Sequence, residues 1–300
     1  MSSLVATGIG TRSSMNPVRT MLRDIQTELM LLGKRPSTWV LLGVWLALSQ
    51  IFAYIFPYVT YRNDSTATAP GGAPLLPTLL PDQLVSALVG GFAFYGGTIA
   101  LILGVLTFGS EFGWNMWKTL FTQRPGREHI FLAKAIAMGI VLLPFGLIEF
   151  ALGGVVSTII ATIEGQTISA PSFMHLVEAI GSGWLIMMVW AGIGMLLAVI
   201  TRGTSLAIGL GILYALVVEG MISAFANSIS WLKPIVEGFL RANSYSLIEP
   251  INASTSQANG GPGSFDGSFV DPLQAFIVLA GYLVISVVAS MWLMRRRDIA

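Results

Sequence analysis

The chain has 300 residues, of which 54% are hydrophobic and only 10% are Asp, Glu, Lys or Arg. Soluble globular proteins contain about 25% charged residues, so this composition excludes a water-soluble domain and predicts an integral membrane protein. The net charge of +1 excludes the basic surface that nucleic acids require, and the lack of cysteine excludes disulfides, thiolate metal sites and cysteine nucleophiles.

The N-terminal part of the chain divides into a tail and a helix. Residues 1–15 are rich in Ser, Thr and Gly and are expected to be disordered. Residues 16–35 predict an amphipathic helix, capped by Asn16 and with Pro17 at its first position. Apolar residues recur every three or four positions, and the other face carries Arg19, Arg23, Asp24, Gln26, Thr27 and Glu28. We expect the helix in the membrane interface, either as a surface anchor or as a docking element for a partner.

Residues 36–300 contain six segments that are long and apolar enough to cross the hydrocarbon core as helices. These segments, numbered spans 1–6, cover residues 38–58, 84–108, 130–160, 176–200, 205–225 and 273–294. The sequence therefore predicts an all-α membrane protein, with a kink or tilt at Pro144 in span 3.

The distribution of basic residues predicts the orientation of the chain. One side of the membrane receives thirteen of the sixteen Lys and Arg residues, and the other side receives only Arg62, Lys233 and Arg241. Because basic residues accumulate on the cytoplasmic side, both termini are predicted to be cytoplasmic in a multi-pass protein of the cell membrane. The first 30 residues also lack the apolar region of a cleavable signal peptide.

Two connections between spans have distinctive sequences. The loop between spans 2 and 3 places Trp114 and Trp117 in a predicted short helix, followed by a turn at residues 124–127. This charged loop is either solvated or packed against another protein, and its two tryptophans favour a protein contact. Before span 6, an apolar stripe at residues 231–240 is too short to cross and predicts an interfacial or re-entrant helix. Residues 252–267 are predicted to be mobile.

Three acidic residues lie in or near the predicted spans: Glu149 in span 3, Glu178 at the start of span 4 and Glu219 in span 5. Because all sixteen basic residues are assigned to loops or flanks, no salt bridge to these carboxyls is expected. A charge at the centre of a span costs about 2.5–3.5 kcal/mol, so such residues face protein or water. Glu149 and Glu219 either line a substrate or proton path or join helices by hydrogen bonds, whereas Glu178 fits the outer headgroup region.

Several motifs are absent from the sequence. There is no G-x-x-x-x-G-K-[ST] phosphate loop, so the chain cannot hydrolyse ATP by that route, and no G-x-S-x-G or H-E-x-x-H motif for a hydrolase. Two histidines, His129 and His175, are too few for a histidine metal site. The two halves of the chain show no convincing repeat, which weakens the prediction of a secondary transporter.

The order of these features resembles the membrane subunits of ABC-2-type ABC transporters over residues 16–297. The shared plan is a cytoplasmic amphipathic helix, six spans with both ends inside, a charged loop between spans 2 and 3, and a re-entrant stretch before span 6. The strongest local similarity runs from Gly109-Ser110-Glu111 to Thr119-Leu120 and continues with Arg127 and Lys134-Ala135. In the family this region forms the coupling helix that docks on the ATPase subunit. Trp117-Lys118-Thr119 stands where the family often has a Gly-Thr pair.

The resemblance implies the permease subunit of an ATP-driven exporter that is not itself an enzyme. Two copies would form a homodimer in membrane lipid above two ATP-binding cassette subunits. ATP and Mg²⁺ would bind those partners, and this chain would bind no cofactor, metal or nucleic acid. Coupling to the ATPase would use Glu111, Trp114, Trp117, Lys118, Arg124 and Arg127. A path between the copies, lined by spans 2 and 5, would carry a small hydrophobic or lipid-like compound, with Glu149 and Glu219 as candidate path residues.

Two other classes of protein remain open. A proton-coupled secondary transporter would use Glu149 and Glu219 without ATP, and a membrane assembly subunit would bind partners without transporting a substrate. The carboxyls within the spans favour the first of these, whereas the charged loop and the missing repeat argue against it.

Overall fold

In the part of the chain that the structure describes, the fold consists of helices joined by loops. The computed structural model describes residues 17–69, 72–113, 127–226, 229–252 and 270–296. Within these ranges, the only β contact is an isolated bridge between Thr68 and Pro74 in the loop after span 1. Six helices are long and apolar enough to cross a membrane, which confirms the predicted all-α membrane fold. Residues 1–15 and nearly all of 252–267, predicted to be disordered and mobile, lie outside the described ranges.

The helices begin and end close to where the hydropathy pattern places them. The amphipathic helix is Pro17–Lys34, and only Arg35 separates it from span 1. Spans 1–6 are the helices Pro36–Asn63, Pro81–Phe112, Arg127–Ile163, Phe173–Thr201, Ser205–Ile222 and Pro272–Arg296. Spans 1–4 and 6 extend past their predicted bounds, because apolar runs mark only the hydrocarbon section whereas the backbone hydrogen-bond ladder continues into flanking polar residues. Span 3 continues as one helix through Pro144.

Three spans contain a π-helical segment. These segments are Ile51–Ile55 in span 1, Phe92–Gly96 in span 2 and Leu213–Val218 in span 5. A π-helical turn holds an extra residue, which changes the direction of the side chains that follow, and such turns are frequent at functional sites. The segment in span 1 contains the buried Tyr54, and the segment in span 5 ends directly before the buried Glu219.

Span 4 lies at the centre of the bundle, where it packs against spans 2 and 6. Its contact with span 2 depends on Gly104 and Gly194. A β-carbon at Gly104 would overlap the backbone of Ala191, and one at Gly194 would overlap the backbone of Leu101. Small residues at these two positions therefore let the two backbones touch, as in other membrane helix pairs.

The connection between spans 5 and 6 contains more helix than predicted. The expected short helix at residues 231–240 is Lys233–Glu237, preceded by a 3-10 turn at Ser230–Leu232. A second helix, Leu240–Asn252, follows it and was not predicted; we call it the buried helix. Ser244 and Ser246 donate hydrogen bonds to carbonyls four residues earlier, at 2.7 and 2.9 Å, so these polar side chains are buried with their hydroxyl groups bonded.

Candidate functional site

Four charged side chains lie together, one each from the amphipathic helix, the residue before span 1, the end of span 2 and the start of span 3. The Lys134 ammonium lies 2.7 Å from Glu28 Oε2 of the amphipathic helix and also contacts Glu111 Oε1 at the end of span 2. Arg35 places Nη2 3.8 Å from the same Glu111 oxygen and donates through Nη1 to the Leu106 carbonyl at 3.4 Å. We call Glu28, Arg35, Glu111 and Lys134 the Lys134 cluster.

The Lys134 cluster is buried and electrically balanced. The Lys134 and Glu111 side chains are each only 1% exposed. Two carboxylates and two cations share the site, so their charges balance; Arg35 is 21% exposed and is the member in contact with solvent. Removing one member of such a buried group leaves an uncompensated charge and typically costs about 3–5 kcal/mol.

A second charged contact joins the amphipathic helix to span 3. His129 Nε2 lies 3.9 Å from Asp24 Oδ2, which forms an ion pair when the imidazole is protonated. Asp24 and Glu28 are one helical turn apart and only 5% and 9% exposed. The amphipathic helix therefore turns both of its carboxylates toward the protein, together with Leu32 one turn further on.

This arrangement corrects two expectations from the sequence. Asp24 and Glu28 were assigned to the polar outer face of the amphipathic helix, but they lie on its buried face because Lys134 and His129 pair with them. Lys134 was counted with the basic residues of loops and flanks although it falls within the predicted bounds of span 3, and it is buried there with two carboxylate partners. The i, i+4, i+8 spacing of Asp24, Glu28 and Leu32 was the signal that could have identified this face.

The residues expected to couple the chain to an ATPase are only partly described. Glu111 is buried, and its described contacts are to Lys134 and Arg35 of this chain. Arg127 begins the span 3 helix. Trp114, Trp117, Lys118 and Arg124 lie outside the described residues. The Lys134 cluster is thus positioned at both ends of the stretch that contains the predicted coupling helix.

Glu149 lies in a buried polar contact between spans 1 and 3. Its Oε1 accepts hydrogen bonds from Ser49 Oγ at 2.5 Å and from Gln50 Nε2 at 3.0 Å. Glu149 Oε2, Gln50 Oε1 and the Tyr54 hydroxyl are buried and make no hydrogen bond to a described residue. The carboxyl therefore joins two spans and retains one oxygen with unused hydrogen-bonding capacity.

Glu219 has a different role from Glu149, because it binds the start of the buried helix. Its two carboxylate oxygens accept the backbone N–H groups of Leu240 at 2.9 Å and Arg241 at 3.0 Å. The first N–H groups of a helix have no partner within the helix and carry positive partial charge, so a carboxylate at this place is stabilising. Glu219 thus caps a helix in the following connection, a contact that supports the structural interpretation of this residue.

The buried helix is also held by the Arg241 side chain. Its guanidinium lies over the Phe94 ring of span 2 at 5.4 Å and over the Tyr245 ring at 5.8 Å. Burial raises the pKa of the Tyr245 phenol above its ordinary value, although the Arg241 charge acts in the opposite direction. Glu178, the third acidic residue of the predicted spans, is exposed.

These observations define a multi-pass helical membrane protein with a charge cluster at one end of its first three spans. The chain belongs to the family described as "Protein of unknown function (DUF2705)", whose sequence profile matches residues 85–300. The match includes Glu111, Lys134, Glu149 and Glu219 and begins after the amphipathic helix and span 1. No curated protein matches the chain.

Proposed function

We propose that this chain is the permease subunit of an ABC-2-type ABC transporter, which exports a small hydrophobic or lipid-like compound. The structural observation that supports this proposal is the Lys134 cluster. Glu111 precedes residues 114–126, and Lys134 follows them and pairs both with Glu111 and with Glu28 of the amphipathic helix. A partner that pressed on this loop would therefore act on spans 2 and 3 and on the amphipathic helix together.

In this mechanism, the chain itself performs no hydrolysis. Two ATP-binding cassette subunits would supply ATP hydrolysis and dock at Trp114, Trp117, Lys118, Arg124 and Arg127 on the cytoplasmic side. The buried ion pairs resist separation of the helices that they join, so a displacement at the loop passes into the bundle. The tight backbone contact between spans 2 and 4 then carries this displacement to the centre of the protein.

The test is purification of the full chain from its native membranes in mild detergent, with mass spectrometry of co-purifying proteins and an ATPase assay. We expect a stoichiometric partner that carries a phosphate loop. Alanine at Trp117 and Arg124 should abolish ATPase activity coupled to the permease or release the partner. The matched control is W231A/K233A, which removes the same kinds of side chain from an exposed site in the connection before span 6. A wild-type chain that elutes without an ATP-binding partner would contradict the proposal.

A proton-coupled transporter is the second candidate, and the Glu149 contact is the observation that favours it. The hydrogen bonds to this carboxyl from described residues come from neutral side chains, and one of its oxygens keeps an unused acceptor. In proteoliposomes with an entrapped pH indicator, this candidate predicts proton flux that E149Q abolishes and that E178Q, at an exposed carboxyl, leaves intact. Absence of flux from the wild-type chain would remove this candidate. Stable partners without ATPase activity or flux would instead indicate an assembly subunit.

A further inference from the structure

Among the residues of the amphipathic helix itself, the exposed charged side chains are basic. The helix has two acidic residues, Asp24 and Glu28, and both are buried against span 3. Its three basic residues, Arg19, Arg23 and Lys34, are all exposed. The contacts with His129 and Lys134 therefore turn the acidic side chains of the helix inward and leave its basic side chains on the outer face, whereas the sequence of the helix alone suggests a mixed face.

The basic residues lie on one face of the helix, and exposed apolar side chains lie next to that face. At about 100° per residue, Arg19, Met30, Arg23 and Lys34 fall within roughly 60° of the helix circumference, centred about 130° from the buried acidic residues. Val18 and Leu22 lie along the neighbouring edge and are 62% and 54% exposed. A surface that combines guanidinium groups with a row of exposed aliphatic side chains suits an amphiphile with an anionic head.

The position of the helix relative to span 1 indicates which amphiphile it meets. Only Arg35 lies between the helix and span 1, so the helix is held at the level where this span begins. Trp39, in the first turns of span 1, is 60% exposed and donates its indole N–H to the Gly33 carbonyl at 2.8 Å. Tryptophan is enriched at membrane–water interfaces, so this contact places the helix in the layer of lipid headgroups.

We infer that Arg19 and Arg23 form a binding surface for anionic phospholipid headgroups. Each guanidinium can donate two parallel hydrogen bonds to a phosphate, and the acyl chains would follow Val18 and Leu22 toward the hydrocarbon. An acidic protein would satisfy the charges but would leave the apolar edge uncovered at membrane depth. This inference requires only that the chain lies in a membrane and does not depend on an ATP-binding partner.

The test measures thermal stabilisation of the purified full chain in detergent by added short-chain lipids. Dioctanoyl phosphatidylglycerol should stabilise the protein in a saturable manner, whereas dioctanoyl phosphatidylcholine should not. Each basic residue near an anionic surface contributes about 1 kcal/mol, so R19Q/R23Q should weaken the apparent affinity for phosphatidylglycerol roughly 30-fold. R19K/R23K keeps the charge and should retain most of the binding.

The matched control is R62Q/K233Q, which removes the same charge from two exposed positions elsewhere on the protein. This variant should bind phosphatidylglycerol as the wild type does. The inference is overturned if R19Q/R23Q keeps wild-type affinity, or if the control loses as much affinity as R19Q/R23Q. Equal stabilisation by phosphatidylcholine would show that the headgroup charge is not recognised. Equal stabilisation by glycerol 3-phosphate would show a free phosphate site without lipid character.

Discussion

Lys134 illustrates how a single residue can fix the arrangement of several helices. Its ammonium is shared by Glu28 and Glu111, which come from two other helices, and Arg35 lies beside Glu111. A buried ion pair contributes little net stability compared with apolar packing, because both charges lose their hydration. Such a group instead specifies a unique arrangement, since sliding any one helix would leave a charge unpaired.

Replacement of Lys134 by methionine should destabilise the protein strongly. The K134M side chain preserves the volume but leaves Glu28 and Glu111 buried without their shared cation, which costs about 3–5 kcal/mol. We expect a clearly lower thermal unfolding temperature in detergent than for K233M, the same change at an exposed lysine. K134M/E111Q, which also removes one of the stranded charges, should recover part of the loss. An unfolding temperature of K134M equal to that of K233M would contradict this account of the cluster.

Helices in this protein form for two different physical reasons, and the sequence predicts only one of them well. The spans are long apolar runs, and the hydrocarbon core requires them to be helical, so all six could be predicted. The buried helix has a polar sequence, LRANSYSLIEPIN, that carries no such signal. It forms because Glu219 caps its first N–H groups and because the surrounding spans enclose it, which are contacts between distant parts of the chain.

The capping contact predicts the effect of E219Q on the buried helix. Glutamine keeps one carbonyl acceptor but replaces the other oxygen by an amide that cannot accept an N–H group. Loss of a charge-assisted bond at a helix start costs about 1–2 kcal/mol, so amide exchange at the start of Leu240–Asn252 should become roughly tenfold faster. Hydrogen exchange with mass spectrometry measures this change. E237Q is the control, because the carbonyl of Glu237, and not its side chain, accepts the bond from Asn243. Equal protection in E219Q and wild type would argue against a capping role.

The candidate site was harder to predict than the fold, because its contacts also join distant parts of the chain. Glu149 and Glu219 were recognised as unusual because each is an acid in an apolar run, but their partners Ser49, Leu240 and Arg241 could be found only in three dimensions. Lys134 stands near the start of span 3, where the sequence cannot separate a flanking lysine from a buried one. The pairing of Lys134 with Glu28 depends on how the amphipathic helix folds back along span 3.

The spans of this protein divide into an inner and an outer group. Spans 2 and 4 are the most buried, whereas spans 1, 5 and 6 expose most of their apolar surface. Lipid covers such surface in a single copy, and a second copy would cover part of it in the homodimer that we propose. The glycine contact between spans 2 and 4 holds the inner group together. The Lys134 cluster holds the amphipathic helix to it at one end.

Because Arg35 is the only residue between the two helices, the amphipathic helix and span 1 are mechanically coupled. Arg35 still donates its backbone N–H to the Leu31 and Leu32 carbonyls, at 3.1 and 3.3 Å, and Pro36 begins the next helix at once. The connection contains no flexible linker that could absorb a movement of one helix relative to the other. A tilt of the amphipathic helix, whether imposed by lipid composition or by a protein below it, must therefore turn span 1. The hydrogen-bonded contact between span 1 and Glu149 would be the first to change when span 1 rotates.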